Sequence, residues 1–203
     1  MTVRFFHSMA ACIVVAGAFA VSPGCASNAD ARATVDNMGT FGVDIAKVKT
    51  SIDGTVKALE AVVATQPSDI KANFDAYASS VKALDKQANV VRKRADEMKA
   101  TGDEFFKEWE APASVSPERR ADLTASYAKI KEDMAQAKEE FTPLLKSMKD
   151  IESYLKLDLS LKGVNSMADL VTKAKANSAQ VKSRIDAVLL QLNSVRGMLS
   201  TKA

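Results

Sequence analysis

From Leu123, steps of four and then three residues land on Tyr127, Ile130, Met134, Ala137, Phe141, Leu144, Met148, Ile151 and Leu155, and no charged side chain interrupts the series. A repeat with that spacing keeps one stripe of an α-helix turned toward partner helices over many turns. The chain is therefore expected to be a bundle of long helices. The seam itself holds none of the groups that carry chemistry, so the class of fold is legible here and the ligand is not.

Three further stretches supply partners for the seam. Ile45, Val48, Ile52, Val56, Leu59 and Val63 place a first helix over residues 43–65. Gln66-Pro67-Ser68-Asp69 stops it, with Ser68 placed as the cap of the next helix. The second helix spans residues 69–110 through Ile70, Phe74, Tyr77, Val81, Leu84, Ala88, Val91, Ala95 and Met98, then Phe105 and Trp109. One slot of its stripe falls on Gly102, which marks either a kink or a close approach by another helix backbone. Pro112 and Ser114 form a loop, and Ser116-Pro117-Glu118 opens the seam helix with a cap, a proline at the first position and an early acid. Pro143 leaves the apolar spacing unshifted, so it reads as a kink on the exposed side.

The seam fails at Asp158. Lys162-Gly163-Val164-Asn165 then reads as a turn and Ser166-Met167-Ala168-Asp169 as a capping arrangement. A fourth helix reaches residue 199, with Met167, Val171, Ala174, Val181, Ile185, Val188, Leu192, Val195 and Leu199 on its stripe. The fold class is all-α: an elongated, antiparallel, coiled-coil-like bundle of about four long helices, the longest roughly 60 Å at ~1.5 Å per residue. Either a single four-helix layer or a longer two- and three-helix rod satisfies these stripes.

Ahead of the bundle, residues 1–24 resemble a lipoprotein-type signal peptide. One Arg at position 4 precedes the apolar run 10–21, which is too short for a permanent anchor. Val21-Ser22-Pro23-Gly24-Cys25 is similar to a bacterial lipobox, with Ser22 where Leu is usual; the alternative is ordinary cleavage after Ala18-Phe19-Ala20. In a lipobox Cys25 becomes the acylated first residue and holds a domain on a membrane surface. With Ala26 and not Asp after it, the resemblance implies the outer membrane, facing the periplasm. Residues 25–42 then form the lipidated N-terminus and a small, polar tether, and residues 43–203 the bundle.

Cysteine and histidine exclude whole function classes. Cys12 and the only histidine, His7, lie in the signal, so a processed chain lacks a disulfide pair, a Ser-His-Asp triad, a Cys-His pair, an ordinary zinc site and a haem histidine. No cofactor is expected. A net charge of +3 with Lys and Arg dispersed among Asp and Glu falls short of a nucleic-acid footprint.

The remaining candidates have plain readings beside their pointed ones. Glu104, Glu108 and Glu110 around Trp109 form either a carboxylate cluster for a cation or partner, or a solvated helix end with Trp109 filling the core. Arg92-Lys93-Arg94, taken alone or with Arg119-Arg120, is either a face for anionic lipid or cell-wall polymer, or a solvated face paired with acids. Met98, Met134, Met148, Met167 and Met198 read as core filler before they read as a partner groove. Asp158 is either a helix-end residue reaching water or a buried specificity device.

Phe105-Phe106-Lys107-Glu108-Trp109-Glu110, Arg119, Leu123, Tyr127, Met134, Pro143-Leu144-Leu145 and Tyr154-Leu155-Lys156 together resemble the pattern of a bacterial family known as domain of unknown function 2959. Met38, Gly42, Phe74 and Tyr77 extend the resemblance over most of the chain. It implies an exported or lipid-anchored helical protein and no activity. Where that family carries His-Asn after Leu-Lys this chain has Leu157-Asp158, so no role of that His transfers.

The function expected is that of a non-enzymatic envelope lipoprotein, a helical scaffold or partner-binding module, joined to the membrane through its lipid and to an envelope protein through its sides or end. The alternative is a membrane-active or lipid-binding bundle. A carboxylate-only cell-wall enzyme ranks below both, because a narrow bundle is expected to offer few clefts.

Overall fold

A computed structural model describes residues 28–108 and 116–200. Among them are helices α1 (Asn28–Val63), α2 (Ile70–Glu108), α3 (Pro117–Leu157), α4 (Leu161–Ser166) and α5 (Ala168–Ser200). The four long ones run up-down-up-down. Rising numbers in α1 meet falling numbers in α2 at Asn37–Thr101, Asp44–Arg94 and Thr65–Asn73. The same inversion joins α1 to α5 at Lys49–Asp186 and Glu60–Lys175, and α2 to α3 at Tyr77–Met148 and Lys99–Tyr127. Round the square the neighbours are α1–α2, α2–α3, α3–α5 and α5–α1, with α2 and α3 touching least. This is a single four-helix layer, and the all-α bundle holds.

The seam of α3 is buried as its spacing requires, from Leu123 through Leu155. Ser116 caps it in extended conformation and accepts the Arg119 N–H at 3.3 Å, with Pro117 at the first position. Hydrogen bonds from its own backbone N–H and from Ser116 hold the exposed Glu118 carboxyl below its ordinary pKa. Pro143 is exposed and α3 continues through it, because its core neighbours Phe141 and Leu144 keep their places.

Helix α1 departs from expectation at both its start and its register. It begins at Asn28, so described residues read as tether are helical, and Thr34, Met38 and Phe41 are buried. A strict three-four repeat runs through Thr34, Met38, Phe41, Ile45, Val48, Ile52, Thr55, Leu59 and Val62, all buried. Thr55 and Val62 thus hold the slots assigned to Val56 and Val63, and Val63 is exposed. A buried threonine is tolerated there because the Thr55 hydroxyl donates to the Ser51 carbonyl at 2.8 Å.

At the helix junctions the side chains differ in role from those the sequence suggests. The first carbonyl acceptor of α2 is Asp69, which takes the Asn73 N–H at 3.0 Å, and no side-chain bond of Ser68 caps that helix. The expected turn 162–165 is the short helix α4. Ser160 caps it by accepting the Gly163 N–H at 3.0 Å, and Asp158 accepts the Ser160 N–H at 3.2 Å. Ser166 does not cap α5; its hydroxyl donates to the Gly163 carbonyl at 2.7 Å and meets the Tyr154 hydroxyl at 2.9 Å.

Candidate functional site: a cleft between α2 and α3

Two tyrosines join α2 to α3. Tyr77, fully buried on α2, donates its hydroxyl to the Met148 carbonyl at 2.8 Å. Tyr127, buried on α3, reaches the other way to the Lys99 carbonyl at 3.0 Å and Asp103 at 3.1 Å. Its ring stacks on Phe106 with centroids 4.5 Å apart, and Lys131 lies 5.0 Å from its centroid while pairing with Asp103 at 2.6 Å. Burial pushes the Tyr127 phenol above its ordinary pKa, and the neighbouring Asp103 carboxylate adds to the shift. The Asp103 carboxyl is held below its own ordinary value, chiefly by the hydrogen bond from Lys131.

The ring occupies the space above Gly102. A Cβ at that position would sit 2.6 Å from Tyr127 Cζ and 2.7 Å from Cε2. The slot in the α2 stripe is thus a close approach, but by an aromatic side chain and not by a helix backbone.

Between these two braces the facing side chains are short. Ala88 and Ala95 on α2 and Ala137 on α3 leave a cleft of about 330 Å³, open to solvent along the α2–α3 side. Its floor belongs to the opposite pair of helices, with Phe41 and Ile45 of α1 and Val181 and Ile185 of α5 seen through the gap. The walls are apolar and the rim is charged. Asp96 pairs with Lys99 at 3.2 Å and Lys131 with Asp103, whereas Arg92 meets only the amide of Asn89 at 2.9 Å and Lys138 has no carboxylate partner among the described residues. Arg94, beside Arg92 in sequence, is matched to Glu97 at 2.8 Å and Asp44 at 3.7 Å. The basic run therefore divides: Arg94 is the paired surface charge, and Arg92 stands at the mouth of an apolar cleft.

The residues singled out from the sequence do not converge here. Glu104 is exposed on α2, Glu108 is the last residue of that helix, and Trp109, Glu110 and Cys25 lie outside the described residues. Asp158 ends α3 at the opposite end of the bundle, exposed, its backbone N–H donating to the Tyr154 carbonyl. It is a helix-end residue reaching water. Among the described residues no three Asp, Glu, His or Cys side chains are grouped to hold a metal ion, and no helix is long and apolar enough to cross a membrane. The buried carboxylates Asp44 and Asp133 each have a lysine partner, Lys47 at 2.9 Å and Lys129 at 3.2 Å, and neither lines the cleft.

Sequence reasoning missed the cleft because its expectation was that a narrow bundle has few. The available signal was alanine at the stripe positions 88, 95 and 137, where larger side chains would have closed the gap.

Fold and cleft together define an antiparallel four-helix bundle with one interhelical side left open. Residues 43–195 match a family model described as a protein of unknown function, DUF2959, and the chain belongs to that family. The buried positions Met38 and Phe41 precede the matched segment yet pack in the same core. No curated protein and no solved structure matches the chain.

Proposed function

We propose that this is a non-enzymatic binding module of the cell envelope, held at the membrane through an acylated Cys25, whose work is done at the α2–α3 cleft. The observation that carries the reading is the cleft itself. Helix pairs ordinarily interdigitate to crystal-like density, and here two hydrogen-bonded tyrosines hold a pair while alanines leave the space between them unfilled. Apolar walls with a few polar groups at the mouth are the usual make-up of a small-ligand site. Nothing in the lining offers a nucleophile beside a base, or two carboxylates across a gap, which supports binding and not turnover.

A photo-crosslinking residue placed at Val91, on the cleft wall, or at Val43, exposed on α1, tests this in intact cells. An adduct from Val91 that is absent from Val43, with Cys25→Ser moving the protein from the membrane to the soluble fraction, is the expected result. Equal adducts from both positions, or none from Val91, would overturn the cleft; a Cys25→Ser protein that stays membrane-bound would overturn the anchor.

A second reading is a rigid scaffold that engages an envelope protein with its elbow end. It is favoured by Tyr154, Leu157, Leu161 and Leu170, exposed apolar residues around the α3–α4–α5 corner, Leu157 being 90% exposed. A protein adduct from Leu157 with none from Val91 would select it.

A further inference from the structure

We infer that the α2–α3 cleft takes the hydrocarbon tail of a single-chain anionic amphiphile, a medium-chain fatty acid, with its carboxylate at Arg92 and Lys138. This rests on the cleft being the binding site, and it adds the chemistry of the occupant.

Volume sets the tail. About 330 Å³, at ~30 Å³ for a group the size of a water molecule, accommodates roughly ten methylene-sized groups, enough for one chain of about ten carbons and too little for two. Lining sets the tail's chemistry. Met134, Phe141, Ile45 and Phe41 present hydrocarbon, sulfur and ring surface, and no described lining side chain is an unpaired hydrogen-bond donor or acceptor deep in the cleft. A sugar or a nucleotide would lose its hydration there without replacement bonds, whereas an alkyl chain loses only unfavourable contact with water.

Charge sets the head group. Asp96, the acid that lines the cleft, has Lys99 as its cation, and on α2 near it Asp103 has Lys131 and Glu97 has Arg94. Arg92 and Lys138 remain, on opposite walls, without a carboxylate among the described residues. A carboxylate arriving at the end of a buried tail meets both, and the guanidinium of Arg92 can accept it with two parallel N–H donors. A cationic head would be repelled, and a neutral one would gain nothing from the rim.

Flexible fit is built into the walls. Met134 has an unbranched, polarisable side chain that conforms to tails of differing length, and Lys138 has a long stem that can follow the head group outward. The two tyrosine braces lie outside the cleft and need not move when the chain enters.

Isothermal calorimetry of the full chain with dodecanoate, dodecyl maltoside and dodecyltrimethylammonium, each below its micellar concentration, decides the question. The expected result is one site per chain for dodecanoate, at least fivefold weaker binding for the maltoside, and none for the cation. Ala95→Phe should abolish dodecanoate binding while far-ultraviolet circular dichroism and Tm stay close to wild type. Arg92→Gln with Lys138→Gln should weaken dodecanoate severalfold and leave the maltoside unchanged. Ala137→Leu fills the cleft from the α3 side and guards against misfolding of the first variant. If all three amphiphiles bind equally and Ala95→Phe blocks them, the anionic specificity is wrong and the cleft reading survives. If none binds, or if binding survives both cleft-filling substitutions, both fail. Lysophospholipid binding in preference to dodecanoate would overturn the assignment of the head group as a carboxylate.

Discussion

Replacing Gly102 with alanine pits helix propensity against packing at a known point. In an exposed helix the change stabilises by about 1 kcal/mol. At Gly102 the new Cβ would lie 2.6 and 2.7 Å from two carbons of the Tyr127 ring. That ring cannot withdraw easily, since its hydroxyl is bonded to the Lys99 carbonyl and Asp103 and its face is stacked on Phe106. Overpacking of this kind costs about 1–3 kcal/mol, and displacement of the phenol from its bonds costs about 1 kcal/mol more. The net expectation is a destabilisation of about 2 kcal/mol, or about 4–8 °C in Tm for a chain of this length. Gly54→Ala is the control, because nothing lies within 4 Å of its Cβ and there the propensity gain should stand alone. Urea unfolding with an unchanged m-value measures both. Tyr127→Phe removes the nearest atom, so the double variant with Gly102→Ala should show a coupling of at least ~0.5 kcal/mol. A Gly102→Ala protein as stable as the Gly54→Ala protein would refute the close approach.

Further expectations concern register, the elbow and pH. Val62→Ala should cost about 2 kcal/mol in thermal or chemical unfolding and Val63→Ala less than about 0.5 kcal/mol, since only Val62 is buried; the reverse order would displace the α1 register. Gly163→Ala should destabilise by about 1–3 kcal/mol because its Cβ would lie 2.8 Å from Asp158 Cγ, and Ser160→Ala by about 1 kcal/mol through loss of the α4 cap; unchanged stability in both would mean the elbow is not built as described. Burial, reinforced by the Glu152 carboxylate, pushes the Tyr77 phenol above its ordinary value of 10.0. A raised folded-state pKa gives stability that is complete below pH ~10 and lost as pH rises past it, at up to ~1.4 kcal/mol per pH unit. Tyr77→Phe should therefore flatten the fall in unfolding free energy between pH ~10 and 11.5, and an equal slope in both proteins would contradict a buried neutral phenol.

How far the fold could be read depended on what occupied each core slot. The α3 seam was legible throughout because all ten of its positions are apolar, and even Pro143 could be placed on the outer face from its unshifted neighbours. Helix α1 was legible only in part. Thr34 and Thr55 are polar by type yet buried, and the small polar composition of residues 28–40 resembles a linker, so the repeat vanishes unless the three-four step is followed strictly from Met38. The elbow depends on side-chain bonds from Asp158, Ser160 and Ser166 that local patterns do not distinguish from a turn. The cleft depends on which stripes face each other and on how two tyrosines space α2 from α3, which are properties of the packed square and of no single helix. The carboxylates near Trp109 drew attention as chemistry, whereas the alanines at 88, 95 and 137 matter through the space they leave.

Native mass spectrometry of the protein purified from the cells that make it tests the occupied cleft most directly. The expected spectrum has one noncovalent adduct per chain with the mass of a single-chain fatty acid, lost in the Ala95→Phe protein prepared in the same way. A wild-type spectrum without an adduct, or an adduct that persists in Ala95→Phe, would contradict a bundle that works by holding a ligand between α2 and α3.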